Sequence, residues 1–254
     1  MSTISDVLTR IESIIAWSRQ HESPLGYFAA LYYRMTMAVK AGIDEGLFEN
    51  GMRMEQLDVT FARRYVDAFD AWQAGKPVNR SWQLAFEATR NPRITVMQHL
   101  ILGINAHINL DLAIAAAQTR PRDAIFGLHK DFDTINNIIS GLVDKVQESL
   151  ADIWLPFGWL DNLLRSEDEG WANFSISVAR DASWRVATAL AFAPDASTEK
   201  TLIGEADKGV AFLAGKITNG GWLMRLGFQI MCRCEQGSIS EKIDALNRVS
   251  RNAG

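Results

Sequence analysis

The chain has 254 residues, 48% of them hydrophobic, enough to bury a sizeable core as one large domain or two small ones. Charged residues make up 22% and the net charge is -4, which argues against a general nucleic-acid binder with its usual basic excess or stripe. The two cysteines, Cys232 and Cys234, stand one residue apart, which excludes a disulfide framework.

The opening stretch MSTISDVLTRIESII has no basic start followed by an apolar core and a small-residue cleavage site, so no signal peptide is expected. No uninterrupted apolar run reaches the roughly 18 residues of a spanning helix. The expectation is a cytoplasmic protein without a membrane span. Nearly every segment has helical period. Ile4 to Arg19 places Val7, Leu8, Ile11, Ile14 and Ile15 on one stripe. Tyr27 to Gly46 and the charge-rich Arg53 to Ala74 are the next two helices, the latter closed by GKPVN. Ser81 to Arg90 is a short helix that ends at NPR.

The stretch Gln98 to Gln118, QHLILGINAHINLDLAIAAAQ, is apolar on most sides and is expected at the centre of the molecule. Long helices follow over Leu128 to Trp154 and from Ser166 to about Phe192, the second opened by Ser166 and Glu169 at capping-box spacing. Thr198 to Thr218, Trp222 to Glu235 and Ser240 to Arg251 finish the chain, with a second box at Ser238 and Glu241. No segment reads convincingly as a strand, connections are short, and no linker divides residues 1–254. The fold class is all-α: a single compact multi-helix domain of about ten helices around a central buried helix.

Polar groups inside an apolar helix need partners. At about 100° per residue, Gly103, His107 and Asp111 lie about 40°, 80° and 120° round from His99, on one slanting row. Gln98, Asn105 and Asn109 fall together on another side. His107 and Asp111 are four apart, so their side chains converge and are candidate ligands of one divalent metal. Gly103 leaves room between His99 and His107 for a ligand or a neighbouring backbone. The plainer reading is that His107 hydrogen-bonds Asp111 and both knit the core. The next long helix repeats the spacing with His129 and Asp133 and adds Asp131 and Asn136, and facing helices with such pairs are how bundles build metal sites. Solvated charges at a helix start account for the same residues. The third helix offers Asp58, Arg64 and Tyr65 as a further wall, and Arg180 borders a pocket in one reading and is ordinary packing in another.

The segments RMEQLDVTFARRYVDA, QHLILGINAHINLDLAIAAA and DFDTINNI together resemble an uncharacterised bacterial family, domain of unknown function five-nine-nine-five. The resemblance spans about Tyr27 to Ala193 and implies an all-α protein without an assigned activity. A pattern-level similarity to the all-α zinc-dependent phospholipase C and P1-type nuclease group rests on His107 with Asp111 and His129 with Asp133, with His99 as a further helical histidine. That group has more histidines than the four found here, so one or two metals is the most this resemblance implies.

Three functions follow. The first is a metal-dependent hydrolase of an ester or phosphoester, its zinc, iron or magnesium held by His107 and Asp111 with His99, Asp58, Asp131, His129 or Asp133. In it His107, Asp111 and Asn105 act at the reacting centre, and Asn109, Asn136, Tyr65 and Arg64 hold a small-molecule substrate. The second is an apolar pocket that binds or cyclises a small molecule, as in terpene cyclases, where Asn136, Ser140 and Asp144 have the spacing of a magnesium triad. The third is a non-catalytic helical module with a polar core network, and a homo-oligomer is compatible with all three.

Overall fold

The computed structural model describes residues 1–135, 138 and 176–248. Several helices begin where the sequence supplies a side-chain cap. Thr3 and Asp6 form a capping box at the start of α1 (Ile4–Gln20), and the predicted stripe of Val7, Leu8, Ile11, Ile14 and Ile15 is buried. α2 (Leu25–Asp44) packs on α1, and it buries Arg34 and Thr36 among its apolar residues. The Asn50 side chain accepts from the Arg53 amide to open α3 (Gly51–Gln73), and α4 is Arg80–Glu87.

The central helix runs from Val96 to Thr119, and its regular portions are α5 (Val96–Ala106) and α6 (Leu112–Thr119). By length and composition it would pass for a spanning helix, but 83% of its most apolar window is buried inside the molecule. Leu100, Leu102, Leu110, Leu112 and Ile114 are almost wholly enclosed. Ala113, Ala115 and Ala116 have no exposed surface, and their small side chains let α3 and α7 (Ile176–Ala191) approach α6. α8 (Ala196–Thr218) covers α4 and α5. α9 is Trp222–Cys234, with Cys232 part-buried and Cys234 exposed as free thiols. α10 (Ile239–Arg248) closes on α2, and the predicted Ser238–Glu241 box is formed. Among the described residues every regular element is helical. The architecture is all-α, around one continuous core.

Between α5 and α6 the helix does not keep α geometry. His107–Asp111 form a turn of π-helix, an extra-wide turn that is rare and concentrated at functional sites. A helical wheel of fixed pitch misses such a change, because pitch is set by the backbone and its neighbours.

The predicted 128–154 helix begins within 129–135, after a 3-10 turn at Arg122–Leu128. Asn136, Ser140, Asp144, Ser166 and Glu169 lie outside the described residues.

Candidate functional site

The two polar strips of the central helix face different neighbours. Gln98 closes the N-terminal capping box with Thr95 and donates its side-chain amide to the Ile217 carbonyl at 3.0 Å. The Asn105 amide donates to the Val210 carbonyl at 2.9 Å, and Asn109 donates to the Asn105 side-chain oxygen at 2.9 Å. This strip clips α5 and the π turn to α8. Neither asparagine lines the cavity described below.

The other strip enters the aromatic core between α2, α3 and α4. Asp111, fully buried, accepts from three donors: Arg64 Nε on Oδ1 at 2.9 Å, and Trp82 Nε1 and His107 Nδ1 on Oδ2 at 2.8 and 3.1 Å. A carboxylate that accepts at His107 Nδ1 requires the proton on that nitrogen, which leaves Nε2 as a lone pair. The imidazole stacks on Phe61 at 3.6 Å, and the Tyr32 ring meets it edge-on at 4.5 Å. Burial pushes the His107 value down from the ordinary imidazole range, against the opposing pull of Asp111. The ring is therefore neutral at pH 7, with its tautomer set by Asp111.

His107 Nε2 has no hydrogen-bond partner among the described residues, and His107 lines a cavity with about 30 Å³ open to the centre of a water molecule. Two other buried polar atoms without partners belong to residues of the same wall, Asp58 Oδ2 and Arg180 Nε, and the hydroxyls of Tyr32 and Thr36 in that wall have only each other. Most buried polar atoms in folded proteins are paired, so three orphans and an otherwise unengaged hydroxyl pair around one space mark it as a place for water or ligand. The rest of the wall is apolar and includes Met35, Met54, Ile104 and Ile108. Burial raises Asp58 to about 7, with Glu55 adding to the shift, so near neutrality this carboxyl retains much of its proton.

The other predicted site residues lie elsewhere. His99 is buried beside Tyr27, its value lowered to about 4 by burial, and lines a second, smaller cavity with Trp82 and Gly103. The opening expected at Gly103 is filled by Phe28, whose ring lies 2.4 Å from where a Cβ would stand. Asp131 is buried but accepts from the Glu49 amide at 2.7 Å and from Arg53, which ties the helix at 129–135 to the start of α3. His129 and Asp133 pair at 3.4 Å on the surface, each more than half exposed. Tyr65 belongs to the aromatic wall around Trp82 and His107, and Arg64 is a partner of Asp111. Asn136 lies outside the described residues. Among the described residues no three His, Cys, Asp or Glu side chains are grouped to share one metal ion.

The sequence reading did not identify Trp82, Phe61 or Thr36 as part of this site. Tyr32 and Thr36 carried a usable signal: two hydroxyls four residues apart on the apolar face of α2. Trp82 carried none, because its bond to Asp111 joins separate elements.

No curated protein and no solved structure matches the chain. The model of a family of unknown function, DUF5995, matches residues 4–220, and the chain belongs to that family.

Proposed function

We propose that the cavity beside His107 is the active site of a hydrolase that activates water by general-base catalysis, with small esters as the first substrate class and phosphoesters as the second. The observation that carries this reading is the free Nε2 of a buried imidazole whose other nitrogen is fixed by Asp111. A base held by a carboxylate behind it is the arrangement that hydrolytic His–Asp pairs use. For an ester, His107 takes a proton from water as the oxygen attacks the carbonyl carbon. The protonated Asp58 gives its proton to the departing alkoxide as the carbon–oxygen bond breaks. The proton on His107 then returns to Asp58, restoring both groups. Asp111 is a positioning residue. Met35 and Met54 are flexible wall residues whose movement would admit more than the one or two waters the space now holds.

The test is a panel of nitrophenyl esters and phosphoesters assayed with wild type and His107→Asn. Hydrolysis by the wild type with a loss of about 100-fold or more in kcat for the variant supports the reading. Hydrolysis unchanged in the variant, or none by wild type across the panel, refutes it. The pH profile is expected to be a bell. Its acid limb reflects His107 deprotonating below its ordinary 6.5, and its alkaline limb reflects Asp58 losing its proton near 7.

A second reading places a divalent ion, zinc, iron or magnesium, in the same cavity. It rests on His107 Nε2 and Asp58 Oδ2 as two uncommitted donors in one wall. Asp111 does not fit the role of ligand, because Arg64, Trp82 and His107 already engage its oxygens. Metal analysis of protein purified without chelator tests this reading: stoichiometric metal that is lost in Asp58→Asn supports it, and metal-free active enzyme rules it out.

A further inference from the structure

Arg180 is the feature of the cavity that base catalysis leaves unused. Its side chain is 1% exposed, as deep as the aromatic core. Charged side chains at such depth are normally paired, because an unpaired buried charge is costly. Here Nη2 donates to the Phe132 carbonyl at 3.0 Å and the guanidinium lies over the Phe132 ring at 4.2 Å. Neither of these two partners, among the described residues, is an anion. Among the described residues no carboxylate pairs with Arg180, and its Nε–H has no acceptor. Asp133 and Asp181 act on it only through space, and burial prevails, lowering its value to about 9. It enters from α7 and shares the cavity wall with the α2 hydroxyls Tyr32 and Thr36, which have only each other as partners.

We propose that the cavity takes a small carboxylate-bearing ligand with an apolar body, its carboxylate paired with Arg180 and hydrogen-bonded by the Tyr32 and Thr36 hydroxyls. Guanidinium is the side chain best suited to a carboxylate, supplying charge and a planar donor edge together. The hydroxyls add donors without adding charge. The remaining wall of Val39, Leu57, Ile108 and Leu112 suits a short hydrocarbon chain. The proposal rests on the cavity being the functional site described above. It specifies which esters to expect: those whose acyl or alkyl part already carries a carboxylate.

The experiment is calorimetric titration of wild type, Arg180→Lys and Arg180→Met with acetate, butyrate and hexanoate, and with butyramide and butanol as uncharged counterparts. Wild type is expected to bind one carboxylate per chain and to bind butyramide at least tenfold more weakly. Arg180→Met is expected to lose about tenfold or more in carboxylate affinity, with Arg180→Lys in between. A wild type that binds none of the carboxylates, or that binds butyramide as well as butyrate, overturns the proposal. So does an Arg180→Met protein that binds butyrate unchanged. If Arg180→Met does not fold, the carboxylate–amide contrast in wild type decides, together with the Arg180 Nε–H resonance in an NMR titration, which must shift with butyrate. Carboxylate binding without His107-dependent hydrolysis would remove the catalytic reading and keep this one. Hydrolysis of neutral esters without carboxylate binding would do the reverse.

Discussion

His107–Asp111 and His129–Asp133 have the same four-residue spacing and opposite surroundings. In the first pair both side chains are at most 2% exposed, and Asp111 is held by two further donors from α3 and α4. In the second the two groups meet at 3.4 Å with about 60% of each in solvent. Spacing on a helix determines only that two side chains meet. What they do depends on the dielectric around them and on the groups that arrive from elsewhere in the chain. The buried imidazole has one nitrogen fixed and the other free. The surface imidazole can exchange its partner for water at little cost.

The widest separation between the pairs is expected on removing the carboxylates. Asp111→Ala would strand the Arg64, Trp82 and His107 donors around an apolar gap, and a loss of roughly 3–5 kcal/mol in denaturant unfolding is expected. Asp133→Ala is expected to change stability by no more than about 0.5 kcal/mol. Equal effects of the two substitutions would erase the distinction.

Asp58 sharpens the comparison through pH. Its folded value is near 7 against an ordinary 3.8, so between those values the folded protein holds a proton that the unfolded chain has released. Its contribution to stability is therefore fully present below about pH 4 and is lost as pH rises towards about 7. Asp58→Asn has no such titration. It is expected to flatten that part of the stability curve and to be more stable than wild type above pH 7, by on the order of 4 kcal/mol. A variant curve parallel to wild type across this range would contradict the buried placement of Asp58.

Two smaller effects probe the frame that holds the pair. Gly103→Ala would set a methyl group 2.4 Å from Phe28 and is expected to cost about 1–3 kcal/mol as the ring is displaced. Asn105→Ala removes the clip to α8 and is expected to cost about 1 kcal/mol without altering catalysis. A loss of hydrolysis in Asn105→Ala with stability unchanged would return that residue to the reacting centre.

The sequence carried the local features well. Helical period located α1 and the central helix, and the Ser238–Glu241 box was visible as a spacing. Separate strips on the central helix were also legible, and they do face different neighbours. The features that were not legible are those made by packing. Asp131 looked like a ligand because its partner Arg53 lies 78 residues earlier in the chain. The π turn at His107–Asp111 is a backbone event that a fixed-pitch wheel cannot represent. Which of two identical His-x-x-x-Asp pairs is buried depends on Phe61, Tyr32 and Trp82, supplied by three other helices.

The central claim is that His107 is a neutral base with its proton fixed on Nδ1 and its Nε2 free at the cavity. Nitrogen-15 NMR of histidine-labelled protein, assigned by comparison with His107→Asn, tests it most directly. At pH 7 the account predicts a single neutral tautomer for His107, with Nδ1 protonated and Nε2 bare, which gives way to a mixture of neutral tautomers in Asp111→Ala. A His107 that is protonated on Nε2 in the wild type at pH 7 would contradict it.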